Sequence, residues 1–294
     1  MKELLRLMRP SQWIKNGFVF MPLVFSVRLW VVEDVFKVTA ICLSFCLASA
    51  ATYILNDYVD MERDRAHPTK RRRPLAAGTV TPGSALTVMV LAAAAAFLIA
   101  YLIGAPLVCH GFLLSYLALQ LAYSFKLKNI VILDVLSIST GFLLRVLGGA
   151  TIIGVHVSSW LILCTFSLAI LLALGKRRNE ILVLTEEAIA HRPVLENYNV
   201  GLLDQLLQVV TTSTFVFYCL YSVTGNPAMG IESERMMFTI PLVTYGIFRY
   251  MYLVYHLDSG GSPTDMLLND PPLLSCTILW LAACVLIIYV RSGV

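Results

Sequence analysis

Nine stretches of this 294-residue chain approach the length needed to cross a bilayer, and that limits the fold before any single residue is weighed. A hydrocarbon core about 30 Å thick takes about 20 apolar residues at a rise of 1.5 Å each. The stretches fall near 17–32, 35–56, 83–103, 105–123, 134–154, 157–175, 202–224, 237–257 and 273–290, the first being the shortest, with Arg28 near its end. Backbone polar groups in lipid find no water, so each span is expected to be a helix. The composition agrees: 58% of residues are hydrophobic, 14% are charged, and the mean hydropathy is +0.78. A water-soluble globule is excluded. The fold expected is all-α, a polytopic membrane protein of about nine transmembrane helices forming one domain over 1–294.

The charges orient the bundle. With the N-terminus cytoplasmic, 16 of the 22 Lys and Arg residues fall on the inner side and four on the outer, while Arg145 and Arg249 lie within spans. That asymmetry follows the positive-inside rule. The connections expected outside, near Gly104 and Gly154, are minimal, whereas the inner ones at 57–82 and 176–201 are long and charged. Function is therefore expected on the cytoplasmic side. Each long loop follows an even-numbered span, which suggests two four-helix halves. Met1 to Gly17, with Lys2, Arg6, Arg9 and Lys15, reads as an amphipathic start along the membrane surface rather than a removable leader. The seven cysteines form no CxxC pair and read as packing residues, and the five histidines show no ligand spacing. A net charge of +4 does not suggest a nucleic-acid partner.

One polar segment stands apart. Asn56, Asp60 and Asp64 follow the second long span at i, i+4 and i+8, so an unbroken helix stacks them on one face with Tyr53 and Asp57 alongside. Oxygen-bearing side chains at that spacing repel unless a cation lies between them, and hard oxygen donors select Mg²⁺. Mg²⁺ rarely takes a full protein cage and completes its shell with water and substrate phosphates, so a diphosphate is the expected partner. The run His67 to Pro74 places cations beside the acids, with Lys70 and Arg72 as candidate phosphate contacts. Taken alone, that run would read as a topology signal or a contact to anionic lipid.

The pattern Asn56-Asp57-x-x-Asp60-x-x-x-Asp64 at the end of the second long span resembles the UbiA-type membrane prenyltransferase superfamily over almost the whole chain. Met8 to Asn16, Gly175 to Glu180, Tyr245-Gly246 with Arg249-Tyr250, Ser262 to Asp265 and Asn269 to Pro272 are similar to its decaprenyl-phosphate phosphoribosyltransferase branch. The resemblance implies a UbiA-like helical bundle with its active site at the cytoplasmic side of a bacterial inner membrane. It implies transfer of 5-phosphoribose from phosphoribosyl diphosphate (PRPP) to a polyprenyl phosphate, releasing diphosphate, on the way to lipid-linked arabinose for the cell wall. Mg²⁺ would be held by Asn56, Asp60 and Asp64, with Asp60 and Asp64 catalytic. Lys15, Asp57, Tyr123, Lys128, Lys176 and Arg177 would bind substrate, with Lys128 favoured over Lys126.

Where the wider superfamily carries a second aspartate-rich motif, this chain reads Lys176-Arg177-Arg178-Asn179-Glu180. Exchanging acids for cations suits a donor with an additional phosphate ester. Arg145 and Arg249, costly within spans, are expected to find structural partners such as a carboxylate or carbonyl. The alternatives are a prenyltransferase acting on an aromatic acceptor, which shares the first motif but not the missing second one, and a secondary transporter. The transporter would place its polar residues near the midplane instead of at helix ends. Association of copies into a homo-oligomer stays open.

Overall fold

A computed structural model of the chain describes residues 2–66, 70–183, 193–224, 233–256 and 263–290. His67 to Thr69, residues 184–192 of the second long loop, Ser262 and Arg291 lie outside the described residues. The described chain is helical throughout. A short α1 (Lys2–Leu7) leads into a 3-10 segment (Pro10–Phe20) and α2 (Met21–Phe25). There follow α3 (Val32–Val59), α4 (Met61–Ala66), α5 (Pro82–Leu102), α6 (Leu107–Phe125) and α7 (Leu133–Ile152). The second half holds α8 (Ser159–Val183), α9 (Val200–Thr224), α10 (Ile240–His256), the short α11 (Pro263–Asn269) and α12 (Pro271–Tyr289).

Eight of these helices, among the described residues, are long and apolar enough to cross a membrane. The expected span at 17–32 is the exception. It is a 3-10 stretch running into the five residues of α2, with Pro10 opening the first and Pro22 the start of the second. Proline supplies no N–H and fixes its own φ, so it starts short helical pieces and does not extend one long rod. This broken segment packs on α3 and α7. There the backbone comes so close that a methyl group on Gly149 would strike the Val19 carbonyl oxygen.

The other boundaries have local causes. Thr81 caps α5, its hydroxyl accepting from the Ser84 N–H at 3.3 Å, with Pro82 in the first turn. Asp270 caps α12 through the Leu273 N–H at 2.8 Å, followed by Pro271. Gly104 and Gly154 take positive φ (66° and 64°) in the short connections α5–α6 and α7–α8, a conformation that costs glycine little. Ala85, Ala92, Ala96 and Ala100 form the buried edge of α5 and let it approach α3 closely. Leu91, Leu98 and Tyr101 face outward from the same helix, as lipid requires.

Helices α3 and α7 form the centre: 61% of the apolar window of each is buried, against 39% or less for the other six. The end of α3, the start of α7 and the last turns of α8 meet at one polar end of the bundle. A cavity of about 650 Å³ opens there and runs down between the two groups of helices.

Candidate active site

The polar end of α3 is organised around charge pairs. α3 stops at Val59, with Asp60 as its cap, and the chain restarts as α4 at Met61. The backbone bonds Asp60 N–H to Asn56 O (2.9 Å) and Asp64 N–H to Asp60 O (2.8 Å) carry the helical spacing across the break. The acids do not converge on a single point, however. Lys128 Nζ donates to both Asp60 oxygens (2.7 and 2.9 Å) and reaches Asn56 Oδ1 at 3.5 Å. Arg73 Nη1 donates to Asp57 (3.0 Å) and Asp64 (2.6 Å), and Arg9 donates to the same Asp57 oxygen. The expected triad thus divides into an Asn56–Asp60 pair on the cavity wall and a buried Asp57–Asp64 pair behind it. Among the described residues no group of three or more His, Cys, Asp or Glu side chains forms a nest for a metal by itself.

Burial pushes the Asp64 carboxyl above the usual range, the charge and hydrogen bond of Arg73 pulling it partly back. Arg9 sits in the left-handed region (φ 51°, ψ 61°) with its guanidinium 5.3 Å from the Tyr53 ring, so backbone strain is accepted to aim it at Asp57. Arg9 and Arg73 are site residues that spacing did not single out. Arg9 lay within a family-like motif without a role, and Arg73, late in the basic run, turns its side chain inward to both acids.

The remaining candidates fall into two groups. Lys15, Lys70, Tyr123, Lys128 and Lys176 line the cavity together with Asn56 and Asp60. Burial, helped by repulsion from Arg145 and opposed by Asp265, lowers the Lys15 ammonium to about 8. Arg72 is exposed and outside the cavity wall, as is Lys126. Arg177 is buried and also lies off the wall: its Nε donates to Asp134 at 2.8 Å and its Nη1 to Glu180. The cavity wall at this place is Lys176 and Glu180, themselves 3.8 Å apart.

Behind Arg177 the network continues. Tyr198 OH donates to Asp134 at 2.9 Å and accepts from the Ile132 N–H at 2.7 Å, holding Ile132 at φ 69° where α7 begins. Arg178 pairs with Asp204 (2.7 Å), and Arg249 with Asp270 (2.7 Å). Arg145 takes carbonyl and amide partners in the bundle, Gly141 O at 2.7 Å and Asn16 Oδ1 at 2.6 Å.

Eight cationic side chains and two carboxylates line the cavity, so its polar end carries an excess of positive charge. Below it the wall becomes apolar and aromatic, with Phe25, Leu161, Leu168, Leu242 and Trp280. A polyanion at the mouth and a long hydrocarbon in the arm fit this division.

These features define a multi-pass, all-helical membrane transferase with a charged head site joined to a lipid-compatible arm. The chain belongs to the UbiA prenyltransferase family, whose family model matches residues 19–269. Among its relatives, the decaprenyl-phosphate phosphoribosyltransferase of Mycolicibacterium smegmatis is 31% identical over 288 residues, 95% of this chain and 90% of that protein. The protein of the same name from Corynebacterium glutamicum is 30% identical over 291 residues, 98% of this chain and 87% of that one. In fold, the chain matches a UbiA homolog from Archaeoglobus fulgidus, solved with GPP and Mg²⁺, at a TM-score of 0.73 and 17% identity, covering 97% of this chain and 99% of that one.

Proposed function

We propose that this protein transfers 5-phosphoribose from PRPP to a polyprenyl phosphate and releases diphosphate, supplying a lipid-linked precursor of arabinose for a bacterial cell wall. The observation that carries this reading is the cationic mouth of the cavity, continuous with an apolar arm. A donor bearing a diphosphate and a further phosphate ester needs more cations than a prenyl diphosphate does, and Lys176 stands on the wall where an acidic motif would serve a second metal. The names of the full-length relatives support the same substrates.

The donor set suits a divalent cation completed by substrate. Asn56 Oδ1 and the Asp60 carboxylate are hard oxygen donors facing the cavity, with Asp64 and Asp57 one layer behind. Mg²⁺ asks for one or two carboxylates plus phosphate and water, and this pair offers that much. When bound, the ion would neutralise charge developing on the departing diphosphate. The chain's own residues do the rest. Lys128, Arg73 and Lys70 cradle the diphosphate, Lys176 reaches the donor from the opposite wall, and the apolar arm holds the acceptor chain so that its phosphate meets the ribose C1. The acceptor phosphate is already ionised, so no general base is required. The site faces the cytoplasm in this reading, where PRPP is dissolved.

The test is transfer of label from PRPP to polyprenyl phosphate by the purified protein in lipid, with and without Mg²⁺. A prenyl diphosphate and an aromatic acid are offered as competing substrates. Mg²⁺-dependent labelling of the lipid phosphate supports the proposal; prenylation of the aromatic acid instead would replace it.

A further inference from the structure

Four cations are buried among the described residues: Lys128, Arg145, Arg177 and Arg178. Lys128 pairs with Asp60, Arg177 with Asp134 and Arg178 with Asp204. Arg145, only 4% exposed and twelve residues into α7, touches no carboxylate among the described residues. Its hydrogen bonds go to neutral groups: Asn16 Oδ1, Gly141 O, Ser49 Oγ at 3.3 Å and Tyr116 OH at 3.0 Å. The Tyr116 and Phe142 rings lie 4.7 and 5.4 Å from its guanidinium carbon and fix its plane without cancelling its charge. Four of five N–H donors are engaged, which leaves one.

This charge faces the cavity, as does Lys15, which donates to the Gln12 amide oxygen at 2.6 Å and feels the Asp265 carboxylate as well as Arg145. Two like charges on one wall of low dielectric destabilise each other unless an anion comes between them. For the other three buried cations the chain supplies that anion itself. The Arg145 layer is set by Ser49, seven residues before Asn56 on α3, so it lies about 10 Å deeper than Asn56. A phosphate anchored there has the apolar arm beneath it and the donor site above.

We propose that Arg145, with Lys15 beside it, forms a second phosphate subsite that takes the phosphate monoester of the lipid acceptor, separate from the diphosphate site at Asn56, Asp60 and Lys128. This rests on the reading of the cavity as a phosphoribosyl transfer site. The other phosphate monoester present, the 5-phosphate of the donor, has the same chemistry but arrives from the aqueous mouth.

Binding to the full chain in nanodiscs separates the sources, with farnesyl phosphate, farnesol and PRPP as the probes. Wild type is expected to favour farnesyl phosphate over farnesol by about tenfold or more, and R145M to lose that preference while PRPP binding changes less than about threefold. K15M is expected to lose part of the preference, and R145K, which keeps the charge but not the fork, to retain part of it. If R145M does not fold, as read by its melting temperature, K15M and R145K decide: an unchanged headgroup preference in both overturns the subsite. Loss of PRPP binding with headgroup preference intact also overturns it, since the subsite would then belong to the donor. Failure of wild type to bind PRPP at all would instead remove the parent reading, leaving the headgroup comparison to stand alone.

Discussion

Asp60 and Asp64 stand four residues apart in the same acidic motif, yet the structure gives them different work. Asp60 meets Lys128 on the cavity wall, while Asp64 is buried and holds Arg73. Asp60→Asn is therefore expected to lower kcat/KM at least about a hundredfold and to flatten the Mg²⁺ titration of transfer. Asp64→Asn should mainly raise the KM for PRPP, through a loosened Arg73, and leave the Mg²⁺ midpoint nearly in place. A second prediction concerns Lys15, held at about 8 by burial and by Arg145. For a base with a lowered pKa the charged form is the costly one, and it is lost as pH rises through that value. Binding of a prenyl phosphate should then weaken between about pH 7 and 9, and Lys15→Arg, charged throughout, should remove the dependence; a titration at several pH values checks it. The acidic motif was legible because four residues is one helical turn. Its counter-charges were not, because Arg9 and Lys128 lie 48 and 68 positions from the acids they meet, and only folding decides which cation of a basic run turns inward.

At the scale of elements, apolar runs of about 20 residues were readable because nothing but a helix satisfies a backbone in lipid. The stretch at 17–32 was misread for a related reason: its apolar character comes from packing against α3 and α7, not from facing lipid as a rod. Gly149 marks that packing. Gly149→Ala would drive a methyl group into the Val19 carbonyl oxygen, a backbone atom with no rotamer to escape by, and is expected to cost about 1–3 kcal/mol. Gly111→Ala, where a methyl group meets nothing within 4 Å, should be neutral or gain up to about 1 kcal/mol from helix propensity. Melting temperatures in detergent separate the two. The Asp134–Arg177 pair joins α7 to α8 with both side chains fully enclosed. Asp134→Asn removes one of the two carboxylates that meet this buried guanidinium, Glu180 being the other, and is expected to cost about 3 kcal/mol, visible as a lower melting temperature.

The whole molecule is a container with two kinds of wall, and its length matters as much as its charges. Thr165 is buried on α8 and lines the arm eleven residues before Lys176, about 16 Å deeper than the polar mouth. An indole placed there fills the passage without touching the head site. If the acceptor chain runs through the arm, Thr165→Trp should raise the KM for decaprenyl phosphate about tenfold. Dimethylallyl phosphate, whose single isoprene unit stops above the obstruction with its phosphate at the Arg145 layer, should change by less than about twofold, and the KM for PRPP should hold. An unchanged KM for decaprenyl phosphate would mean that the long chain leaves the protein before this depth, through the side of the bundle. The comparison needs only two acceptors, one donor and a variant whose melting temperature matches the parent. It reads the path of the lipid directly, because a blocked passage penalises chain length while a damaged head site penalises every acceptor alike.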